Sequence, residues 1–307
     1  MKKILAWVLA ISLLLCGAAF AEEAEEVHVK VGVVGENNEQ WEQVIIPTLA
    51  EEGIIIELVK FSDYIIPNQA LAQGEIDMNA FQHYDFMNNW NEENSAAYGV
   101  TLVGLCDTLI APLCIYSDKI TSLDELKEGD QIAIMNDVVN EARALRMLAS
   151  TGLITLSEDS TELATVADIA ENPLGLEFVE MEAALTPTAM KDPAIAIAFL
   201  NGTHAKDAGL TNDQALLVEE FDFDDESMHG IVNNIAVRAD DIDNPVYQRI
   251  AEVYQSDEVR ALFDTVYAGV YLPAWEAADE TTEATDEATE AADEAADVAE
   301  TEEPAAE

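Results

Sequence analysis

The chain has 307 residues, half of them apolar, and a formal charge of −49 at neutral pH. That much apolar sequence can build one large or two medium cores, which excludes disorder throughout. The charge excludes nucleic acid and anionic membrane surfaces as partners, since both would repel the chain.

Met1-Lys2-Lys3 and the apolar run from Ile4 to Cys16 have the layout of an export signal, a short positive region followed by an apolar stretch too short to span a bilayer. Two processing routes fit. Ala19-Phe20-Ala21 is a small-x-small cleavage site that makes residues 1–21 the signal peptide and releases a chain beginning at Glu22. Cys16 is the candidate lipidation site of the other route, with bulky Leu15 where such signals want a small residue. Both routes remove Lys2 and Lys3 and take the charge from −49 to −51. The protein is therefore expected on the periplasmic or extracellular face of a membrane, either free or lipid-anchored.

Val27 to Val34 alternates apolar with other residues and then turns wholly apolar, as a strand that passes from half-buried to fully buried would. Glu39 to Glu52 follows with Trp41, Val44, Ile45 and Leu49 at helical spacing, Gly53 closes it, and Ile54 to Val59 is a second β-branched run. Strand, helix, strand at this spacing predicts an α/β fold with a parallel sheet. Further strands are expected within Leu102–Tyr116, Gln131–Ile134, Leu176–Met181, Ala194–Leu200 and Ile231–Val237. Helices are expected at Asn140–Ala149 and, as one final element, Pro245–Tyr271. Cys106 and Cys114 lie in apolar strand-like sequence, where either a disulfide or two buried thiols fits. From Glu276 to Glu307 the composition shifts to Ala, Thr, Glu and Asp, with 14 acidic and no basic residues; a helix there would stack like charges with no cationic partner, so residues 276–307 are expected to be a disordered acidic tail.

Two clusters could carry chemistry. Phe61-Ser62-Asp63-Tyr64 and Phe81-Gln82-His83-Tyr84 place aromatic rings in loops after strands, where doubly wound sheets bind ligands, and such rings suit a half-apolar ligand with a thioether or aliphatic tail. Asn136 to Leu145 sits at a strand-to-helix junction. Helix-start amides with Arg143 one turn in are a ready receptor for a carboxylate, and Arg143 is expected to pair with the ligand rather than with the protein. The four histidines, His28, His83, His204 and His229, leave open a zinc- or manganese-binding transport protein, although none shows paired ligand spacing. No nucleophile elbow, H-E-x-x-H, phosphate loop or catalytic Cys/His signature is present, so no enzyme and no cofactor is expected.

The strings FSDYIIPNQAL, IDMNAFQHYDF, PLCIYS, NDVVNEARAL, TGLITL, ADIAENP and NGTHAKDAGL, in order from about Val29 to Trp275, resemble the signature blocks of the methionine-binding lipoproteins, the NlpA-type components of methionine ABC importers. The resemblance implies a type II periplasmic-binding-protein fold with two hinged lobes, residues 27–113 with 231–275 and residues 114–230, crossing over near Pro112 to Tyr116 and Gly230 to Asn233. It implies that a monomeric protein hands methionine (the L- or D-form, or a Met-containing dipeptide) or another small apolar amino acid to an ABC importer permease. Carried over residue by residue, the side-chain cage falls on Tyr64, Phe81 and His83, with Phe86 where the family has a tyrosine. The carboxylate-gripping arginine falls on Arg143, and the orienting asparagines on Asn140, Asn201 and Asn233. The chain departs from the family pattern at Asp85, Ala142 and His204 as well.

Overall fold

The computed structural model describes residues 26–276. The signal peptide, Cys16 and all of the acidic tail beyond Glu276 lie outside the described residues.

The first lobe begins with β1 (Val27–Val34) and β2 (Ile54–Phe61), which pair in parallel along their whole length, from Val27 opposite Ile54 to Val34 opposite Phe61. Between them a π-helical turn at Trp41–Ile45 runs into α1 (Ile46–Glu51). Trp41, Ile45 and Leu49 share the face that the spacing assigned to the core, and all three are fully buried. The strand β3 (Met78–Asn79) lies parallel on the other side of β1, after α2 (Ile66–Gln73). Next come α3 (Tyr84–Tyr98), β4 (Leu102–Asp107) and β5 (Leu109–Ile110).

The second lobe contains β6 (Cys114–Tyr116), β7 (Gln131–Met135), α4 (Val138–Ser150), the paired β8 (Thr155–Leu156) and β9 (Ile169–Glu171), and β10 (Glu177–Met181). It continues through α5 (Thr186–Ala189), β11 (Ile195–Leu200), α6 (Gly202–Asp207) and β12 (Leu217–Val218). The chain then returns to the first lobe as β13 (Asn234–Arg238), α7 (Pro245–Tyr254), α8 (Asp257–Arg260) and β14 (Leu272–Pro273), which pairs with β5.

Two five-stranded sheets result, ordered β2-β1-β3-β13-β4 and β10-β7-β11-β6-β12. Each is mixed rather than purely parallel. In each sheet, the strand that follows a crossover runs against its neighbours: β13 is antiparallel to β3 and β4, and β6 is antiparallel to β11 and β12. All six residues of β11 are buried, as a near-continuous apolar strand covered on both faces must be.

Two elements differ from the sequence expectation for local reasons. The final helix is broken. The Ser256 side chain accepts from the Val259 N–H and starts α8 anew, because a serine hydroxyl offers the backbone an alternative to continuing the helix. Leu102–Tyr116 divides into β4, β5 and β6 as the chain leaves one sheet for the other. Cys106 and Cys114 are both free thiols; burial pushes Cys106 up to about 12 and Cys114 up to about 11, so neither is poised as a nucleophile.

The lobes meet across a cleft that is held shut at one edge. The Asp207 carboxylate, at the end of α6, accepts from the Glu36 N–H at 3.3 Å and from Asn37 Nδ2 at 2.5 Å. Gly35 allows that approach. Its φ is +84°, and a Cβ there would stand 2.6 Å from Asp207 Oδ2. Next to this contact Lys206 reaches Glu39 at 3.4 Å and lies over the Tyr267 ring at 5.0 Å.

Candidate binding cleft

The strand ends and helix starts that flank the cleft supply its lining. Tyr64 stands in the bend ahead of α2, and its ring also packs against the core of the second lobe. Phe81 and His83 follow β3. His83 is the N-cap of α3, its Nδ1 accepting from the Phe86 N–H at 3.3 Å, and Phe86 lies in the first turn. Below this loop a buried amide network holds Gln82 to Asn68 and Asn79 at 2.7–2.9 Å and fixes the backbone that carries both rings. From the other lobe come Asn140 and Arg143 in the first turns of α4, and Asn201 at the N-cap of α6. Asn233 precedes β13 and is bridged to His83.

These eight residues line one cavity, together with Gln82, Ala111, Gly202 and Thr203, and the cavity has about 350 Å³ of empty space counting its mouth. One end is aromatic. Tyr64 and Phe81 stack at 5.9 Å between ring centres, and Phe86 stands edge-on to both at 6.2 and 6.0 Å. Tyr84, grouped with these rings in the sequence reading, turns the other way: its hydroxyl donates to Asp107 at 2.8 Å and its ring stacks on His229 at 4.6 Å.

The other end is polar, and its donors and acceptors can be assigned in turn. The Asn140 backbone N–H fixes Asp137 Oδ1 as an acceptor, so Asn140 also turns its Nδ2 towards it, both contacts at 2.9 Å. That leaves Asn140 Oδ1 to accept from Asn201 Nδ2 at 2.8 Å, so Asn201 Oδ1 is an acceptor, and it has no partner among the described residues although the residue is only 8 % exposed. On His83 the Nδ1 is already an acceptor, and the ring is neutral. Burial, reinforced by the charge of Arg143, pushes its pKa down to about 3. The neutral ring therefore carries its proton on Nε2, a donor that also lacks a partner at 6 % exposure. A buried donor and a buried acceptor left open in one cavity are each expensive unless a ligand completes them.

The arrangement around Arg143 corrects the sequence reading in two ways. The guanidinium is paired within the protein. Its Nε donates to Glu219 Oε1 at 2.6 Å, and its Nη2 donates to Glu219 Oε2 and, at 3.2 Å, to the Ala111 carbonyl. Among the described residues only Nη1 has no hydrogen bond to protein. The amides at the start of α4 are also partly spent, because Asp137 caps them. Glu219 was not foreseen. It follows β12 on the returning crossover, and one more glutamate in a chain this acidic gives no local signal. Burial works to raise its pKa, but the Arg143 charge and the hydrogen bonds from Arg143 and the Leu113 N–H outweigh that and hold it below the usual carboxylate value. For Arg143 burial works to lower the pKa, and Glu219 reverses it.

A family model described as NlpA lipoprotein matches residues 29–275. The D-methionine-binding lipoprotein MetQ of Salmonella typhi is 38% identical over 266 residues, covering 86% of this chain and 94% of that protein. The chain belongs to the NlpA lipoprotein family. Among solved structures, the substrate-binding protein of a methionine transporter from Streptococcus pneumoniae is 34% identical with a TM-score of 0.74, covering 81% of this chain and 96% of that one. A nutrient-binding protein from Burkholderia cenocepacia, solved bound to methionine, is also 34% identical with a TM-score of 0.73, covering 80% and 100%. The fold is thus the two-lobed, type II periplasmic-binding fold. Solved relatives include the substrate-binding protein of a methionine transporter and a periplasmic substrate-binding protein of an ABC transporter. Among the described residues no group of three or more His, Cys, Asp or Glu side chains is placed to hold a metal ion, and no helix is long and apolar enough to cross a membrane.

Proposed function

We propose that the protein is an extracytoplasmic solute-binding protein that captures methionine, as the L- or D-form or within a short peptide, and delivers it to an ABC importer permease. The observation that carries this reading is the two-ended cavity: rings that enclose an apolar tail at one end, and at the other a free guanidinium N–H, an unpartnered imidazole N–H and an unpartnered amide oxygen for the charged end of an amino acid. A thioether gains roughly 0.3–1.5 kcal/mol at each ring it touches. Tyr64, Phe81, His83 and Phe86 hold the tail, Arg143 and His83 Nε2 take the carboxylate, and Asn201 with Asn140 and Asn233 orients the ammonium. Two lobes, residues 27–113 with 231–275 and residues 114–230, close over the ligand by hinge motion at the crossovers, with Asp207 against the Gly35 loop as the clasp.

Nothing in the cavity resembles an activated nucleophile or an acid/base pair, so the reading is capture and release without chemistry, by a monomer that binds no nucleic acid. The names of its relatives support methionine as the solute. The test is titration calorimetry with L-methionine, D-methionine, alanine and zinc, alongside native mass spectrometry of protein purified without added ligand. Micromolar or tighter binding of a methionine stereoisomer, with none of zinc, is expected. Failure of every methionine compound to bind would reject the reading.

A further inference from the structure

Arg143 is buried in the cavity wall at 8 % exposure, and Glu219 stands half-buried behind it at 15 %, sharing two hydrogen bonds with it. Glu219 is also stitched to the outgoing crossover, where Leu113 N–H donates to Oε2 at 3.0 Å and the Glu219 N–H donates to the Leu113 carbonyl at 2.9 Å. It is therefore held in place whether or not a ligand is bound. A lone guanidinium in such a cavity would attract any carboxylate. Paired with Glu219 it contributes no net charge, and His83 is neutral. The other carboxylates that act on Arg143, those of Asp85 and Asp137, can add only negative charge, and burial raises the pKa of both, so neither supplies the positive charge an anion would need.

We infer that Glu219 is the specificity-determining counter-charge of the cavity: by holding Arg143 in a neutral pair, it admits a net-neutral zwitterion and rejects an anion of the same shape. This rests on the methionine reading above. An anionic ligand brings an uncompensated charge into a site walled by buried side chains, while a zwitterion brings none. The anion also leaves Asn201 Oδ1, committed as an acceptor by its bonds to Asn140 and through it Asp137, without the donor that an ammonium supplies.

The experiment compares methionine with 4-(methylthio)butanoate, the same molecule without its amino group, by calorimetry on the wild-type protein and on Glu219→Gln, whose fold is checked by circular dichroism. Wild-type protein is expected to prefer methionine by at least about 100-fold, and Glu219→Gln to narrow that ratio by about tenfold or more, because the freed guanidinium then favours the anion. Wild-type protein that binds neither compound sinks the methionine reading, and this inference with it. Methionine binding with a ratio that Glu219→Gln leaves within threefold of the wild type overturns the inference alone. One measurement needs no variant, and so survives a Glu219→Gln that does not fold: wild-type binding of the deaminated acid within tenfold of methionine also overturns it.

Discussion

Replacing Arg143 by alanine tests whether the guanidinium belongs to the protein as well as to its ligand. The change leaves Glu219 ionised and 15 % exposed with no cation beside it. Breaking a buried pair in this way costs about 3–5 kcal/mol, far more than the pair itself adds over an apolar substitute. For a protein of this size each kcal/mol moves the melting temperature by about 2–4 °C, so ligand-free Arg143→Ala is expected to melt roughly 10 °C below the parent at pH 7 by scanning calorimetry. Two controls sharpen the reading. Arg143→Met with Glu219→Leu removes both charges and should recover most of the loss. In the single variant the Arg143 charge and hydrogen bonds are gone and the Leu113 N–H alone is left to oppose burial, so the folded pKa of Glu219 rises from its lowered value, and the deficit, complete at pH 7, shrinks as pH falls through that pKa and the carboxyl takes up a proton. A melting point within about 2 °C of the parent at pH 7, or a deficit that grows towards pH 4, would refute the assignment of the pair.

His83 makes a second pH prediction. Its folded pKa of about 3 lies below the ordinary 6.5, so its contribution is complete above pH 6.5 and is lost as pH falls towards 3, about 2 kcal/mol of it by pH 5. His83→Asn, which keeps an N-cap acceptor for α3, should be less destabilised than the parent between pH 6.5 and 5 in denaturant titrations; parallel pH profiles would contradict a buried neutral imidazole. Phe81→Ala should weaken methionine several-fold to tenfold while leaving alanine nearly unchanged, because only the longer side chain reaches the ring; equal losses in calorimetry would move the apolar end elsewhere. Gly35→Ala forces a side chain into left-handed backbone and against Asp207, so it should loosen the clasp and speed methionine release in stopped-flow fluorescence. An unchanged release rate would show that this edge does not hold the cleft shut.

The first sheet was largely legible because its strands obey simple patterns. Val27–Val34 and Ile54–Val59 are β-branched runs on either side of one helical turn pattern, and their full-length parallel register follows. Tyr64, Phe81 and His83 were legible as rings in loops after strands, whereas Phe86, Asn201 and Asn233 came only from the family resemblance; all six line the one cavity. The states of the charged groups were not legible. Glu219 is separated from Arg143 by 76 positions, and only the return crossover brings them together. Asp207 meets the Gly35 loop over a similar gulf, 171 positions from Glu36. Helix α3 went unread because of its fifteen residues only Met87 and Trp90 are buried, too few to show a helical period. The broken final helix is the reverse case, where apolar spacing continues through Ser256 and hides a cap that the hydroxyl enforces.

Placing β13 between β3 and β4 has a consequence for how the chain comes to be folded. The earliest lobe to be synthesised lacks an interior strand until nearly the last segment arrives, while the later lobe has all five of its strands in one uninterrupted stretch. Contacts between the ends of a long chain form slowly. An unfinished first lobe cannot lock shut while residues are still emerging, and a polypeptide that stays open in this way is suited to being threaded across a membrane before it folds.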